Sequence, residues 1–165
     1  MDVDRLRSGP ERSSGLRLAG VLASAVALAS CVTPAPAMQR PAGFALFEGE
    51  RYRAVSPEGV TVGVRLVAND PQQDLAFWAE ALKVHLLKAG YRLLAEERFK
   101  APLGEGSLLE WVAPVAGQDW VYLTALAIHG SDIALVEAAG PFRHYREHRG
   151  ALLAILATLN VPEKR

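Results

Sequence analysis

Apolar and polar positions alternate with a period of two from Arg51 to Val67, and the run is interrupted once, at Pro57-Glu58-Gly59. Proline presets φ for a type I turn and glycine accepts the left-handed position after it, so the interruption predicts a three-residue hairpin loop with a bulge. Pairing Ser56 with Val60 across that loop gathers Tyr52, Ala54, Val60, Val62, Val64 and Leu66 on one face. Arg51, Arg53, Thr61, Gly63 and Arg65 fall on the other, which is the separation a half-buried hairpin requires. Phe44–Phe47 is a candidate short strand ahead of it.

The period then changes. Asp70-Pro71-Gln72-Gln73 supplies a capping residue, a proline at the first helical position and a glutamine at the third, which predicts a helix start. Leu75, Trp78, Leu82, Leu86 and Ala89 recur at helical spacing, Phe77 and Val84 widen the stripe, and Gly90 supplies a C-terminal cap. Four strands are expected next, at Tyr91–Phe99, Ser107–Ala113, Trp120–Ile128 and Ile133–Ala139, with Gly104-Glu105-Gly106 as a hairpin-like connection. Trp120–Ile128 is apolar on both faces and reads as a central strand, whereas Glu96, Glu97 and Arg98 put Tyr91–Phe99 near an edge. Gly140-Pro141 breaks the chain, and Phe142, Tyr145, Leu152, Leu156 and Leu159 form a last helical stripe ending before Pro162. The fold class is α+β: an antiparallel sheet with amphipathic helices packed on it.

The stretch Asp132–Leu159, a strand followed by Ala-Gly-Pro and a helix opening on Phe142, resembles the last strand and closing helix of PsbP-like domains. These form the α/β/α sandwich of the photosystem extrinsic subunit, the Ran-release factor and DcrB-type bacterial lipoproteins. The earlier order, a hairpin through Ser56-Pro57-Glu58-Gly59 and then a helix through Trp78, fits the same pattern, so the resemblance spans roughly Arg51–Leu159. It rests on element order and packing residues, brings no catalytic residue, and implies a binding or assembly role by fold-level analogy alone.

At the N-terminus, Arg5, Arg7, Arg12 and Arg17 lead into the apolar run Leu18–Cys31. Its roughly 10-residue apolar centre and small residues describe an export signal, since a membrane-spanning helix needs ~20 apolar residues. Leu28-Ala29-Ser30-Cys31 matches the lipobox of bacterial lipoproteins, and that resemblance implies cleavage before Cys31 and its modification with palmitate-type acyl chains. Several chains, each buried CH₂ worth ~0.8 kcal/mol, would anchor the protein durably. By resemblance to sorted lipoproteins, Val32 rather than aspartate after Cys31 implies outer-membrane placement in a Gram-negative cell. The expected organisation is a signal peptide over 1–30, a lipidated cysteine and proline-rich tether over 31–43, and one PsbP-like domain over 44–165. Extended at ~3.1 Å per residue, the tether would reach on the order of 35 Å.

Composition narrows the function classes. Without residues 1–30 the chain has 14 Lys and Arg against 15 Asp and Glu, which gives no electrostatic case for a nucleic-acid partner. Cys31 is the single cysteine, so no intrachain disulfide can form and stability rests on an apolar core. No cofactor-binding motif is present; the phosphate-cradling G-x-x-x-x-G-K pattern and serine-nucleophile motifs are absent.

Several constellations could carry chemistry. His144-Tyr145-Arg146-Glu147-His148 reads H-x-x-E-H, which would let His144 and His148 share a zinc ion while Glu147 activates its water. No third ligand is evident, because Glu163 is the sole carboxylate side chain after His148, and Arg143, Arg146 and Arg149 oppose a dication. These histidines are weak metal candidates on a solvated helix face. Arg51, Arg53 and Arg65 share one hairpin face, where they would pair with Glu48 or Glu50 or form an anion or partner patch. Trp78, Trp111 and Trp120 lie in apolar stripes and are expected in the core. Glu110 and Glu137 interrupt strand cores; as paired acids they would suit glycoside hydrolysis, but solvent-facing positions are the expectation. His85 and His129 are isolated.

The expected protein is therefore no enzyme but a lipid-anchored, periplasm-facing binding or assembly factor of the bacterial envelope, held to the membrane by Cys31 and meeting an envelope protein partner. The alternatives are a structural, self-associating lipoprotein and a metal-dependent hydrolase using His144, Glu147 and His148.

Overall fold

The computed structural model describes residues 35–49, 51–113, 115 and 117–162. The expected signal peptide and Cys31 lie outside the described residues, so their reading rests on sequence alone. Seven strands and two helices follow in the order β1 (Ala45–Leu46), β2 (Arg53–Val55), β3 (Thr61–Ala68), α1 (Leu75–Lys88), β4 (Arg92–Ala101), β5 (Gly104–Ala113), β6 (Trp120–His129), β7 (Asp132–Pro141) and α2 (Phe142–Leu156). The strands form one antiparallel sheet in the spatial order β1-β2-β3-β7-β6-β5-β4.

The β2–β3 hairpin has the register that the alternation demands, with Arg53 opposite Gly63 and Ala54 opposite Val62. Gly59 N–H donates to the Ser56 carbonyl and Ser56 N–H to the Val60 carbonyl, while Gly59 takes φ +86°, a conformation that costs glycine little. Strand β6 carries apolar residues on both faces because both faces are covered. Val121, Leu123, Ala125 and Ala127 join Val62, Val136, Tyr145 and Leu152 in the core under α2. Leu126, with Tyr122 and Ile128 at its margin, joins Leu109, Trp111, Ile133 and the α1 residues Ala79 and Leu86 in a second core on the opposite face. The architecture is a sheet between two helices. Strand β4 forms one edge, and a bulge between Leu93 and Ala95 together with Glu96, Glu97, Arg98 and Lys100 discourages further pairing there.

Three local expectations are corrected. Helix α1 starts later than Asp70: Asp74 is the cap, its carboxylate accepting from Phe77 N–H at 2.8 Å. The preceding residues are diverted by Asn69, whose side chain accepts from Gln73 N–H at 3.0 Å and donates to the Gln73 carbonyl at 3.1 Å. The end of α1 is as the sequence suggests, with Gly90 at φ +86° and Gly90 and Tyr91 N–H groups closing on the Leu87 and Leu86 carbonyls. Phe77 and Val84 do not widen the buried stripe; both are exposed, because the sheet covers only the Ala79–Leu86 side of the helix. Gly104-Glu105-Gly106 is no connection but the start of β5, paired with Phe99–Ala101, and the turn is made by Pro102 and Leu103. A Cβ on Gly106 would overlap the Phe99 ring lying across it.

Gly140-Pro141 does not break the strand at Ala139: both residues still pair with β6, so β7 runs two residues further before Pro141 caps α2. Phe142, at the head of the expected stripe, is exposed, and Ile155 takes a buried place instead. The proline-rich segment is also not free along its length. Ala37 bridges Asn160, Gln39 N–H donates to Thr158 Oγ1, the Tyr52 hydroxyl donates to the Gln39 carbonyl at 2.7 Å, and Met38, Pro41 and Phe44 are buried. From Ala37 onward this segment is laid on the α2 core.

Candidate functional site

Helix α1 packs over β4, β5 and β6. On the same face of the sheet, the neighbouring β2–β3 region carries Arg51, Arg53, Thr61 and Arg65, all exposed. Because side chains alternate along β3, Thr61, Gly63 and Arg65 point to this face, and the sheet register puts Arg53 and Glu137 on either side of Gly63. Gly63 has no side chain, so the layer has a notch at its centre. A cavity of about 320 Å³ opens there, lined by Arg51, Arg53, Thr61, Gly63, Arg65 and Glu137 among others. The three arginines singled out in the sequence are thus brought to one concavity.

Their partners differ from expectation. Arg65 pairs across β7 with Glu137, Nε donating to Oε2 at 2.9 Å, because Glu137 lies beside Gly63 in the register and the glycine leaves the path open. The Arg53 guanidinium lies 5.2 Å from the Phe47 ring centroid. Among the described residues, Arg51, Arg53 and Glu48 form no ion pair; Glu50 lies outside them. Glu137 is further held by the Tyr122 hydroxyl, which donates to Oε1 at 2.5 Å. Burial pushes the Glu137 carboxyl up, yet the bonds from Arg65 and Tyr122 outweigh it and leave the carboxyl below its usual range. Burial raises the Tyr122 hydroxyl, and its bond to Glu137 raises it further.

The second carboxylate interrupting a strand core, Glu110, does not face solvent. It is 5% exposed, under α2, and receives Arg149 and Tyr145. Residue parity on β5 and β7 sends Glu110 to the α2 side and Glu137 to the α1 side, so the two cannot flank one glycosidic bond. Both are tied into Tyr–Glu–Arg sets: the Glu110 set pins α2 to β5, and the Glu137 set ties β3, β6 and β7 together within the sheet. Sequence reading missed these sets. The available signals were the alternation that aligns Glu110 with Leu108 and the one-turn spacing of Tyr145 and Arg149 on α2.

The H-x-x-E-H residues diverge. His148 Nε2 meets Glu58 Oε2 at 2.8 Å on the hairpin turn, with the ring edge-on to Phe44, while His144 Nδ1 lies 3.3 Å from Glu147 Oε2. Among the described residues, no group of three or more His, Cys, Asp or Glu side chains could hold a metal ion. Trp111 is fully buried with its indole N–H on Thr124 Oγ1 at 3.1 Å, and Trp78 donates to Asn69 Oδ1 at 2.6 Å. Trp120 is half-buried, and His129 stands opposite Asp132 in the backbone register at the β6–β7 turn.

No protein-family model matches the chain, and no curated protein matches it in sequence. Solved structures do. The Ran-binding protein Mog1p of Saccharomyces cerevisiae superposes with a TM-score of 0.55 at 14% identity, over 77% of this chain and 90% of that one. LpqN of Mycobacterium tuberculosis, described as involved in cell envelope biogenesis, gives 0.54 at 13% identity over 79% and 85%. A Pseudomonas aeruginosa protein of unknown function, PA94, described as a putative regulator, gives 0.54 at 11% identity over 80% and 85%. The fold is Mog1/PsbP-like. At these identities the likeness establishes architecture and no more. No helix among the described residues is long and apolar enough to cross a membrane.

Proposed function

We propose that this protein is a non-catalytic binding or assembly factor of the bacterial cell envelope, anchored by acyl chains on Cys31 and facing the periplasm. The observation that carries the binding role is the bare β2–β3 face, a concavity rimmed by Arg51, Arg53 and Arg65 beside a helix that covers the rest of that sheet face. A binding protein needs such a place, whereas a hydrolase needs convergent acids or a metal, and the candidate acids and histidines are directed apart. The envelope setting is supported by the lipobox residues Leu28-Ala29-Ser30-Cys31 and by likeness to a protein involved in cell envelope biogenesis. By resemblance to sorted lipoproteins, Val32 after Cys31 supports an outer-membrane position in a Gram-negative cell.

The experiment has two parts. Metabolic labelling with a palmitate analogue should mark the wild-type chain and not Cys31→Ser; equal labelling of both would remove the anchor. Affinity capture from crosslinked envelopes should then retain the same partner with the native chain and with Cys31→Ser freed of its signal peptide. A partner held by neither form would remove the binding role.

A further inference from the structure

We propose that the notch above Gly63 is a binding site for a doubly charged phosphate group, a deepening that rests on the reading of this domain as a binding module. The chemistry follows from what surrounds the notch. Three guanidinium groups and one carboxylate line it. Glu137 is already engaged by Arg65 Nε and the Tyr122 hydroxyl, so its charge answers one arginine and, among the described residues, two positive charges remain.

The donors are held in usable states. Arg65 commits only Nε to Glu137, which leaves its terminal nitrogens for a second acceptor. Arg53 Cζ lies over the Phe47 ring, 5.2 Å from its centroid, and among the described residues the guanidinium makes no ion pair, so its N–H groups are not committed to a carboxylate there. Thr61, two residues before Gly63 on the same face, adds a hydroxyl that donates to the Ala139 carbonyl over a long 3.5 Å, a weak bond that a phosphate oxygen can replace. Like charges gathered on one sheet face repel, and a dianion seated between them removes that repulsion while accepting forked arginine hydrogen bonds. A volume of about 320 Å³ exceeds what a bare oxyanion fills and admits the first atoms of an ester substituent. The phosphate can come from a lipid headgroup or from a soluble phosphate, and the recognition chemistry is the same.

The test uses the full chain in a neutral detergent, with inorganic phosphate, dihexanoylphosphatidic acid and dihexanoylphosphatidylcholine as probes and the arginine Nε–H NMR signals as readout. Phosphate or phosphatidic acid should move the Arg51, Arg53 and Arg65 signals saturably. Arg53→Ala should weaken binding at least tenfold. Gly63→Val should do the same while keeping every charge, because it fills the notch; Thr61→Leu, at an exposed strand position, serves as the second filling variant should valine disturb the hairpin. Tighter binding of phosphatidic acid than of inorganic phosphate assigns a lipid source, and the reverse assigns a soluble one; both support the site. Unchanged binding by the filled variants, equal binding of phosphatidylcholine, or no saturable shift would overturn it. If a partner is still captured while no phosphate probe binds, this assignment falls and the binding-module reading stands.

Discussion

Arg149 closes a fork on Glu110, its Nε 2.9 Å from Oε1 and its Nη2 2.8 Å from Oε2, and Nη2 reaches on to Glu97 at 2.9 Å. One helical turn earlier, the Tyr145 hydroxyl donates to Glu110 Oε1, the oxygen that Arg149 Nε also meets. Helix α2 is therefore fixed in rotation against β5 and β4 by two side chains on a single buried carboxylate. The bond to Glu110 raises Arg149 above its usual value, and burial followed by the Glu110 bond raises Tyr145.

Removing the shared carboxylate should be the most damaging polar substitution in the sheet. Glu110→Ala leaves Arg149 and Tyr145 without their partner and should lower stability by about 3 kcal/mol, the low end of the range for broken buried pairs because Arg149 is partly exposed. Tyr145→Phe, which removes only one donor, should lose about 1 kcal/mol. Urea denaturation with unchanged slope is the check, and equal losses for the two variants would argue against the shared-carboxylate arrangement.

Stability should fall on both sides of neutrality. Glu58 is lowered to about 2, chiefly by its bond with His148, and Glu137 also lies below the ordinary 4.5. The unfolded chain takes up these protons at higher pH than the folded one, so the stabilisation is complete above 4.5 and is lost as pH falls toward 2. Tyr122 and Tyr145 behave oppositely: the fold favours their neutral hydroxyls, so their contribution is complete below 10.0 and lost above it. Thermal melts across pH should show a plateau with two falling limbs. Glu137→Gln should flatten the acid limb and Tyr122→Phe the alkaline one.

The entry to α1 should be sensitive at two positions. Asp74→Ala removes the cap on Phe77 N–H and should lose about 1 kcal/mol. Asn69→Ala should lose about 1–3 kcal/mol, since it strands the Trp78 indole N–H and unties Gln73. Asp70→Ala, at the position where the sequence suggests the cap, should change stability by less than about 0.5 kcal/mol in the same melts.

The sheet was legible because alternation and two-sided apolarity report directly on burial. Ser56 opposite Val60, a two-sided β6 and an edge β4 all follow from those patterns. What escaped depends on contacts between elements distant in sequence. Asn69 decides where α1 begins by bonding to Gln73 and Trp78, and nothing in local spacing distinguishes it from the Asp70-Pro71 signal one residue on. The burial of Glu110 is not visible in its local sequence, since its partner Arg149 lies 39 residues away on α2. At the candidate site, the arginine face was visible as a pattern. The notch was not, because it exists through the lateral alignment of Arg53, Gly63 and Glu137 across three strands.

If the β2–β3 face left uncovered among the described residues is the surface by which this protein binds in the envelope, crosslinks will start from it. The most direct test places a photoreactive amino acid at Ala45, an exposed position on β1 in the same row as Thr61 but outside the notch lining, and at Lys100, an exposed position on the far edge strand, in intact bacterial envelopes. Illumination should give a discrete adduct from position 45, weakened by adding Arg53→Ala and Arg65→Ala, and none from position 100. No adduct from position 45, or the same adduct from both positions, would contradict binding through this face.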